Sequence, residues 1–152
     1  MEIRDKSGKR LHEAKRFHDL SDLDLREAVL EGMTLQGARF EYANLENANL
    51  RRADFYWGIF LQANLTGADL EGAQLQGTDF KKANLTNANL RGANLGRDNL
   101  GGASQLQGAN LKGAVLNGAN VEGAEFDDQT VFPSGFDPDK HGMSLRVLKS
   151  KK

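Results

Sequence analysis

A five-residue period runs through most of the chain. Counting from Leu20, every fifth position up to Leu100 is Leu or Phe, and the residue two places earlier is usually Ala. Five residues match neither the 3.6-residue turn of an α-helix nor the two-residue alternation of a long strand. The period therefore predicts an all-β solenoid, in which each repeat forms a short extended side and a turn, with Leu or Phe and Ala pointing inward.

A second recurrence, at twenty residues, predicts how many repeats make one coil. Phe recurs at positions 40, 60 and 80, and the charge alternates in sign along one column. We expect four sides of five residues, about 5.5 coils, and ion pairs between coils stacked ~4.8 Å apart. The column consists of Glu31, Arg51, Glu71, Arg91 and Lys112.

The phase of the period changes once. With Leu100 taken as a repeat centre, the pattern resumes one residue late at Leu106, so we predict a one-residue bulge near 101–105, where glycines absorb the distortion. Asp98 then falls in a small inward position. Because a carboxylate in a dry core needs hydrogen-bond donors, we expect Asp98 to accept bonds from backbone N–H groups of the distorted turn rather than to bind a ligand.

Runs such as Ala43–Leu50 (ANLENANL) and Ala83–Leu90 (ANLTNANL) resemble the pentapeptide-repeat family, whose motif is A(D/N)LXX. The resemblance covers about residues 18–131. It implies a right-handed quadrilateral parallel β-helix with Leu, Phe and Ala filling a narrow core. Residues 132–138 and the Gly142-Met143 pair are similar to C-terminal segments of cyanobacterial members, which indicates a cyanobacterial-type protein.

Both ends of a solenoid expose strand edges that must be covered. We assign residues 1–17 to an N-terminal cap with a short helix over 7–17 and Ser7 as its N-cap. Residues 18–131 form the solenoid. Residues 132–152 form an irregular C-terminal cap, in which Phe132, Phe136 and Met143 fold over the last coil, followed by a mobile basic tail.

Little in the sequence indicates catalysis. The chain has no cysteine, its three histidines lack metal-ligand spacing, and no phosphate-binding loop or nucleophile motif is present. We therefore expect no catalytic residue, no cofactor, no metal and no enzymatic activity. No signal peptide or membrane-spanning apolar run is seen, so we expect a cytoplasmic monomer without a membrane partner.

One aromatic cluster is the candidate protein-contact patch. Tyr56, Trp57 and Ile59 occupy outward positions on consecutive sides, and Tyr42 lies one coil lower. The cluster is typical either of residues that cover coil edges or of an interaction surface, since clustered exposed apolar groups mark contacts.

The charge is unevenly distributed although the net charge is only −1. The N-terminal cap is basic, and its residues Lys9, Arg10, Lys15 and Arg16 are candidates for contact with an anion. Residues 18–79 carry four basic and eleven acidic side chains. Solvated faces account for this, and a functional acidic surface is the alternative.

These observations favour a non-catalytic protein-interaction, scaffold or regulatory module whose protein partner the sequence does not identify. The alternative is a DNA mimic that modulates a type II topoisomerase such as DNA gyrase, because some members of the family resemble duplex DNA. The basic ends and near-neutral upper coils weigh against mimicry, which needs a sustained negative potential. We do not expect binding to nucleic acid.

Overall fold

The computed structural model describes residues 2–13 and 19–147. Residues 19–132 form stacked coils with four faces, and parallel backbone bridges link residues twenty apart along most of the chain. The bridged residues are Asp19, Arg39, Ile59, Asp79, Gln105 and Glu125 on the first face; Asp24, Asn44, Asn64, Asn84, Asn110 and Val131 on the second; Val29, Asn49, Asp69, Asn89 and Val115 on the third; and Thr34, Asp54, Gln74, Asn94 and Asn120 on the fourth.

A turn after each repeat centre produces the corners. In the repeat of Phe40, the N–H of Ala43 donates to the Phe40 carbonyl at 3.1 Å, and Tyr42 between them has a φ of 60°. Glycine occupies this left-handed position in many other repeats, because it has no Cβ to strain there. The side chain before the centre supports the next turn, as when Asn44 Oδ1 accepts the N–H of Glu46 at 3.1 Å.

Leu, Phe and Ala fill the interior as the period predicts. The Phe40 and Phe60 rings stack with centroids 4.7 Å apart, and Phe60 and Phe80 stack at 5.2 Å. Phe55, from the fourth face, meets Phe60 edge-on at 5.2 Å. All four rings are fully buried, so the twenty-residue recurrence of Phe is confirmed as a column of stacked rings.

The predicted one-residue bulge is wrong. Asp79 bridges to Gln105, twenty-six residues away, so this coil holds six more residues than its neighbours. The additional residues leave the solenoid between Gly96 and Ala103, a segment that we call the 96–103 loop. Leu100 in this loop is not a repeat centre, since its side chain is 84% exposed. Ser104 takes the next small inward position and donates to the Leu75 carbonyl at 2.6 Å.

The predicted column of alternating charges is confirmed in part. Arg51 contacts Glu71 through two hydrogen bonds of 2.9 and 3.0 Å. Lys112, however, was assigned to this column wrongly. Because the coil below it is six residues longer, Lys112 follows the second face, where the Asn87 N–H donates to its carbonyl at 2.9 Å.

The N-terminal segment is a β-hairpin. Strands β1 (Glu2–Arg4) and β2 (Arg10–Glu13) pair antiparallel, so the helix predicted over 7–17 is wrong for residues 10–13, and residues 14–18 lie outside the described residues. The segment forms a hairpin rather than the predicted helix because a strand can form backbone hydrogen bonds with the open edge of the first coil. The Val29 N–H, for example, donates to the Arg4 carbonyl at 2.8 Å. Ile3 is fully buried against this coil.

The C-terminal segment crosses the other end of the solenoid and then rejoins it. Strand β3 (Glu125–Phe126) pairs in parallel with β4 (Ser144–Leu145), and a 3₁₀ turn (Asp139–His141) lies between them. Phe132 and Phe136 pack against the core and Met143 is buried, as predicted for the residues that fold over the last coil. Val131 bridges to Asn110, so Phe132 follows Phe126 by six residues rather than five.

Candidate interaction surface

Trp57 lies on a corner of the solenoid and spans several coils. Its backbone adopts the left-handed conformation, with a φ of 57°. Its ring covers Gly77 and Gly102 so closely that a Cβ on either glycine would approach ring atoms to 2.9 or 2.5 Å. The side chain is nonetheless 46% exposed. The two glycines therefore allow the ring to lie flat between the coils and the 96–103 loop.

Asp98 holds the 96–103 loop against this corner. Its Oδ2 accepts hydrogen bonds from the Tyr56 hydroxyl at 2.5 Å and from Trp57 Nε1 at 3.1 Å. Its Oδ1 accepts the backbone N–H groups of Leu100 at 2.9 Å and Gly102 at 2.5 Å. The predicted bonds to backbone N–H groups are confirmed. The predicted inward position is wrong, because Asp98 is half-buried outside the core.

These bonds shift the acidity of both partners. The Tyr56 hydroxyl, followed by the backbone N–H groups of Gly102 and Leu100, lowers the pKa of Asp98 below its usual value, although partial desolvation opposes the change. The hydrogen bond to Asp98 raises the pKa of Tyr56. The folded protein therefore favours a carboxylate facing a neutral phenol at this site.

We predict that acid releases the loop only below the ordinary titration range of aspartate, about pH 4. Since the pKa of Asp98 is lowered by folding, its contribution to stability is complete above that range and is lost as the pH falls through the lowered pKa. Tyr56 has a raised pKa, so its contribution is complete below the ordinary tyrosine range and is lost above it. Trp57 is the only tryptophan, so its fluorescence emission between pH 8 and pH 2 reports the acid step.

The matched control for this titration is Asp98→Asn, which removes the carboxylate and keeps the shape. Its Trp57 emission at pH 7 should already resemble that of the acid form, without a separate acid step before global unfolding. A wild-type step centred above about pH 4, or the same step in the variant, would contradict the assignment to Asp98.

The loop that contacts the ring of Trp57 through Gly102 also carries the exposed side chain of Leu100. We define the Trp57 surface as Tyr56, Trp57 and the 96–103 loop with Leu100. The Tyr56 and Trp57 rings meet edge-on with centroids 6.2 Å apart. A shallow polar groove of about 290 Å³ borders Tyr56 and is lined by Gln36, Asp54, Tyr56, Gln74 and Gln76. This arrangement of an apolar centre with a polar border resembles the anatomy of protein-binding surfaces.

The other two members of the predicted patch lie elsewhere. Tyr42 is 54% exposed on the corner at the opposite end of the first face, where its N–H donates to the Leu61 carbonyl at 3.0 Å. Ile59 is half-buried in the first face, between Arg39 and Asp79. The structure therefore brings Tyr56 and Trp57 together and adds Leu100, which the sequence period had assigned to the core.

The predicted anion-contact cap is only partly described. Arg10 contacts Glu13 at 3.0 Å and Glu2 at 3.7 Å, so carboxylates already offset its charge. Lys9 is exposed in the hairpin turn, and Lys15 and Arg16 lie outside the described residues. Over residues 2–13 and 19–147, no group of three or more His, Asp or Glu side chains has a metal-binding arrangement.

The pentapeptide repeats profile matches eight copies over residues 19–56, 59–97 and 103–128. This chain belongs to the pentapeptide-repeat family. Its faces and coils are those of the family's right-handed quadrilateral β-helix. The gap in the profile between 97 and 103 coincides with the loop that Asp98 holds.

Solved structures of the family are similar to this chain. Rfr23 from the cyanobacterium Cyanothece 51142 is 37% identical with a TM-score of 0.59, covering 65% of this chain and 63% of its own length. The protein alr5209 from Nostoc Pcc 7120 is 30% identical with a TM-score of 0.53 and covers 85% of each chain. Both are cyanobacterial, in agreement with the resemblance seen in the C-terminal segment. This chain spans less than two thirds of the length of Rfr23.

Three further findings do not narrow the role or the cellular location of the protein. A pentapeptide repeat protein from the thylakoid lumen of Arabidopsis thaliana is 32% identical with a TM-score of 0.34, covering 74% of this chain and 68% of its own. A search of curated proteins found no match. Among the described residues, none of the helices has the length and apolar character needed to cross a membrane. The cytoplasmic location stays a prediction.

Proposed function

We propose that this protein is a non-catalytic protein-binding module of the scaffold or regulatory type, and that the Trp57 surface is its contact site. The observation that carries the proposal is Leu100, 84% exposed on the loop that contacts Trp57, together with Trp57, which is itself 46% exposed. Exposed apolar side chains that cluster on one surface are typical of protein-contact sites.

The rigidity of the site supports this assignment. The side chain of Asp98 accepts one hydrogen bond from each of two aromatic residues, which ties the loop to them, and two more from backbone N–H groups within the loop. A pre-ordered surface loses little conformational entropy when it binds, and aromatic side chains contribute disproportionately to binding energy. A loop that only connected two coils would not require this anchoring, since the rest of the solenoid turns each corner within a single repeat.

The charges of the lower coils favour this proposal over DNA mimicry. Several carboxylates on these coils are paired with cations: Asp24 contacts Arg26 at 2.7 Å, and Asp69 contacts Arg51 at 3.2 Å. Such pairs reduce the sustained negative potential that imitation of duplex DNA requires. We therefore expect no effect of micromolar protein on the supercoiling activity of DNA gyrase, and inhibition or protection in that assay would reverse the preference.

Affinity capture from cells that express the protein natively, followed by titration of each captured protein, tests the proposed function. Leu100→Ser is the main variant, because Leu100 has no role in the core. We expect it to weaken binding of the true partner at least about tenfold, as for a residue near the centre of an interface. Val29→Ser, which changes an exposed apolar residue on the third face, is the matched control and should bind like wild type.

Two outcomes would contradict the proposal. One is a saturable partner that binds wild type and Leu100→Ser with equal affinity, which would place the contact elsewhere. The other is the absence of any saturable protein partner. Circular dichroism of both variants should match that of wild type, because neither side chain lies in the core.

A further inference from the structure

A groove of about 560 Å³ lies at the C-terminal end of the solenoid, away from the Trp57 surface. Its floor is the third face of the last coil, formed by residues 114–119. Its wall is formed by Pro133, Ser134, Gly135, Phe136 and His141 from the C-terminal segment. The stacked rings of Phe136 and His141, 4.4 Å apart, make the wall compact. We call this feature the terminal groove.

The floor of the terminal groove is an open strand edge. One coil lower, the Leu90 N–H donates to the Val115 carbonyl at 2.8 Å, and the Ala88 carbonyl accepts the Val115 N–H at 2.9 Å. The equivalent groups of the last coil are the Ala114 carbonyl and the N–H groups of Leu116 and Gly118. Among residues 2–13 and 19–147, none of these three groups has a backbone partner. Leu116 is also only half-buried.

The chain itself covers the same edge on both sides of the groove. On the second face of the solenoid, the Leu111 N–H donates to the Val131 carbonyl at 2.7 Å. On the first face, the Ser144 N–H donates to the Ala124 carbonyl at 2.8 Å. Both added segments run parallel to the coil beneath them. The groove is thus a gap in a continuous strand-pairing surface, and an added parallel strand would complete it.

The shape of the groove identifies the occupant as a single strand. The C-terminal segment, with the stacked rings of Phe136 and His141, already lines the groove beside the open edge, which favours a single strand over the flat end of a second solenoid. The third face is one repeat wide, which accommodates about five extended residues, or about 16 Å. Apart from His141, the lining residues are uncharged, which favours a neutral segment.

We propose that the terminal groove binds a short, extended, uncharged peptide segment of a partner protein by parallel backbone pairing with Ala114, Leu116 and Gly118. Strand addition of this kind derives affinity from main-chain hydrogen bonds and selectivity from alternate side chains. The inward positions of the solenoid determine which side chains of the bound peptide are preferred. A small residue fits above Ala114, and a leucine-sized residue fits above Leu116. This site is independent of the proposed contact through Leu100.

The probe for the terminal groove is a capped peptide of sequence Ala-Asn-Leu-Thr-Gly, which copies the uncharged repeat of residues 63–67. Titrated to about 5 mM against ¹⁵N-labelled protein, it should shift the amide resonances of Leu116 and Gly118 saturably and slow their hydrogen exchange at least about tenfold. The amides of Leu90 and Gly92, already bonded to the coil above, should not change.

Two controls separate strand pairing from other contacts. The same peptide with an N-methyl group on its Asn amide cannot donate to the Ala114 carbonyl and should not bind. Ser134→Trp, which places a large ring from an exposed wall position into the groove, should abolish binding without unfolding the protein.

Three results would overturn the proposal: no shift at the highest peptide concentration, equal binding of the N-methylated peptide, or protection of Leu116 that grows with protein concentration alone. The last result would assign the groove to a second copy of this chain. Each result is distinguishable from failure of the proposed function, because Leu100→Ser should bind the peptide like wild type.

Discussion

Replacing Phe60 with alanine is expected to lower the free energy of unfolding by about 3–5 kcal/mol. The ring is fully buried and contacts three others: Phe40 at 4.7 Å, Phe80 at 5.2 Å and Phe55 at 5.2 Å. Its removal leaves a cavity that the surrounding coils cannot close, because backbone bonds such as that from Phe60 N–H to the Asp79 carbonyl, at 2.7 Å, fix their spacing. Urea unfolding monitored by far-ultraviolet circular dichroism measures the loss.

Ile59→Ala is the matched control for the change at Phe60. Ile59 is the adjacent residue but is half-buried on the outer side of the first face, so its truncation should cost less than about 1 kcal/mol. Comparable losses for the two variants would contradict the assignment of alternate residues to the core and the surface.

Replacing Ile3 with alanine is expected to cost about 2–4 kcal/mol and to release the N-terminal hairpin. Ile3 is fully buried although it is the third residue of the sequence, and it belongs to the same core as the coils. Without this side chain, the hairpin is held by the partly buried Leu11 and by a few bonds, such as those from Val29 N–H to the Arg4 carbonyl and from Lys6 Nζ to the Asn47 carbonyl. Hydrogen exchange of the amides of β1 and β2, together with urea unfolding, measures both effects.

Glu13→Ala is the control for the change at Ile3. Glu13 is exposed at the end of β2 and contacts Arg10 on the surface, so its loss should change stability by less than about 0.5 kcal/mol. Unchanged protection of the hairpin in Ile3→Ala would show that its side chain does not anchor this cap.

The interior could be predicted from the sequence because the repeat restricts each position to one environment. Leu65, Phe60 and Ala63 recur at fixed offsets, and every Leu or Phe centre from Leu20 to Leu95 is buried. Some inward positions of the first and last coils are only partly buried, namely Leu23, Met33, Leu116 and Ala119. The twenty-residue recurrence of Phe also predicted the stacked column, since only residues on the same face lie directly above one another.

The length of the 96–103 loop could not be predicted from the five-residue period, because an insertion of six residues shifts the phase of the pattern by the same amount as an insertion of one. Leu100 fits the phase of the repeat, which is why it was assigned to the core. The preceding residues were the available signal: Arg97, Asp98 and Asn99 contain no small apolar residue for the inward position. That departure indicates that this segment is not a repeat.

The N-terminal cap was predicted wrongly because local propensity was weighed without the edge that the segment must cover. A helix satisfies its backbone internally, whereas the first coil offers unpaired backbone groups that a strand can use. The turn between the strands is also encoded locally: Asp5 Oδ1 accepts the N–H groups of Ser7 at 2.9 Å and Lys9 at 3.0 Å, and Gly8 has a φ of 88°.

The contact between Asp98 and the Tyr56–Trp57 corner could not be predicted from the five-residue period. It joins residues about forty apart, and Asp98 lies in a segment that does not follow the repeat. The sequence had identified both features separately, as an irregular acid and as part of an exposed cluster that also included Tyr42 and Ile59. Only the geometry shows that they form one surface.

The measurement that tests this account most directly is the backbone order of the 96–103 loop, from ¹⁵N relaxation of wild type and Asp98→Asn. If Asp98 holds the loop on Trp57, the amides of Leu100 and Gly102 should have order parameters near about 0.85 in wild type and below about 0.6 in the variant. Low values in wild type, or equal values in the two proteins, would contradict the claim that this carboxylate builds the surface.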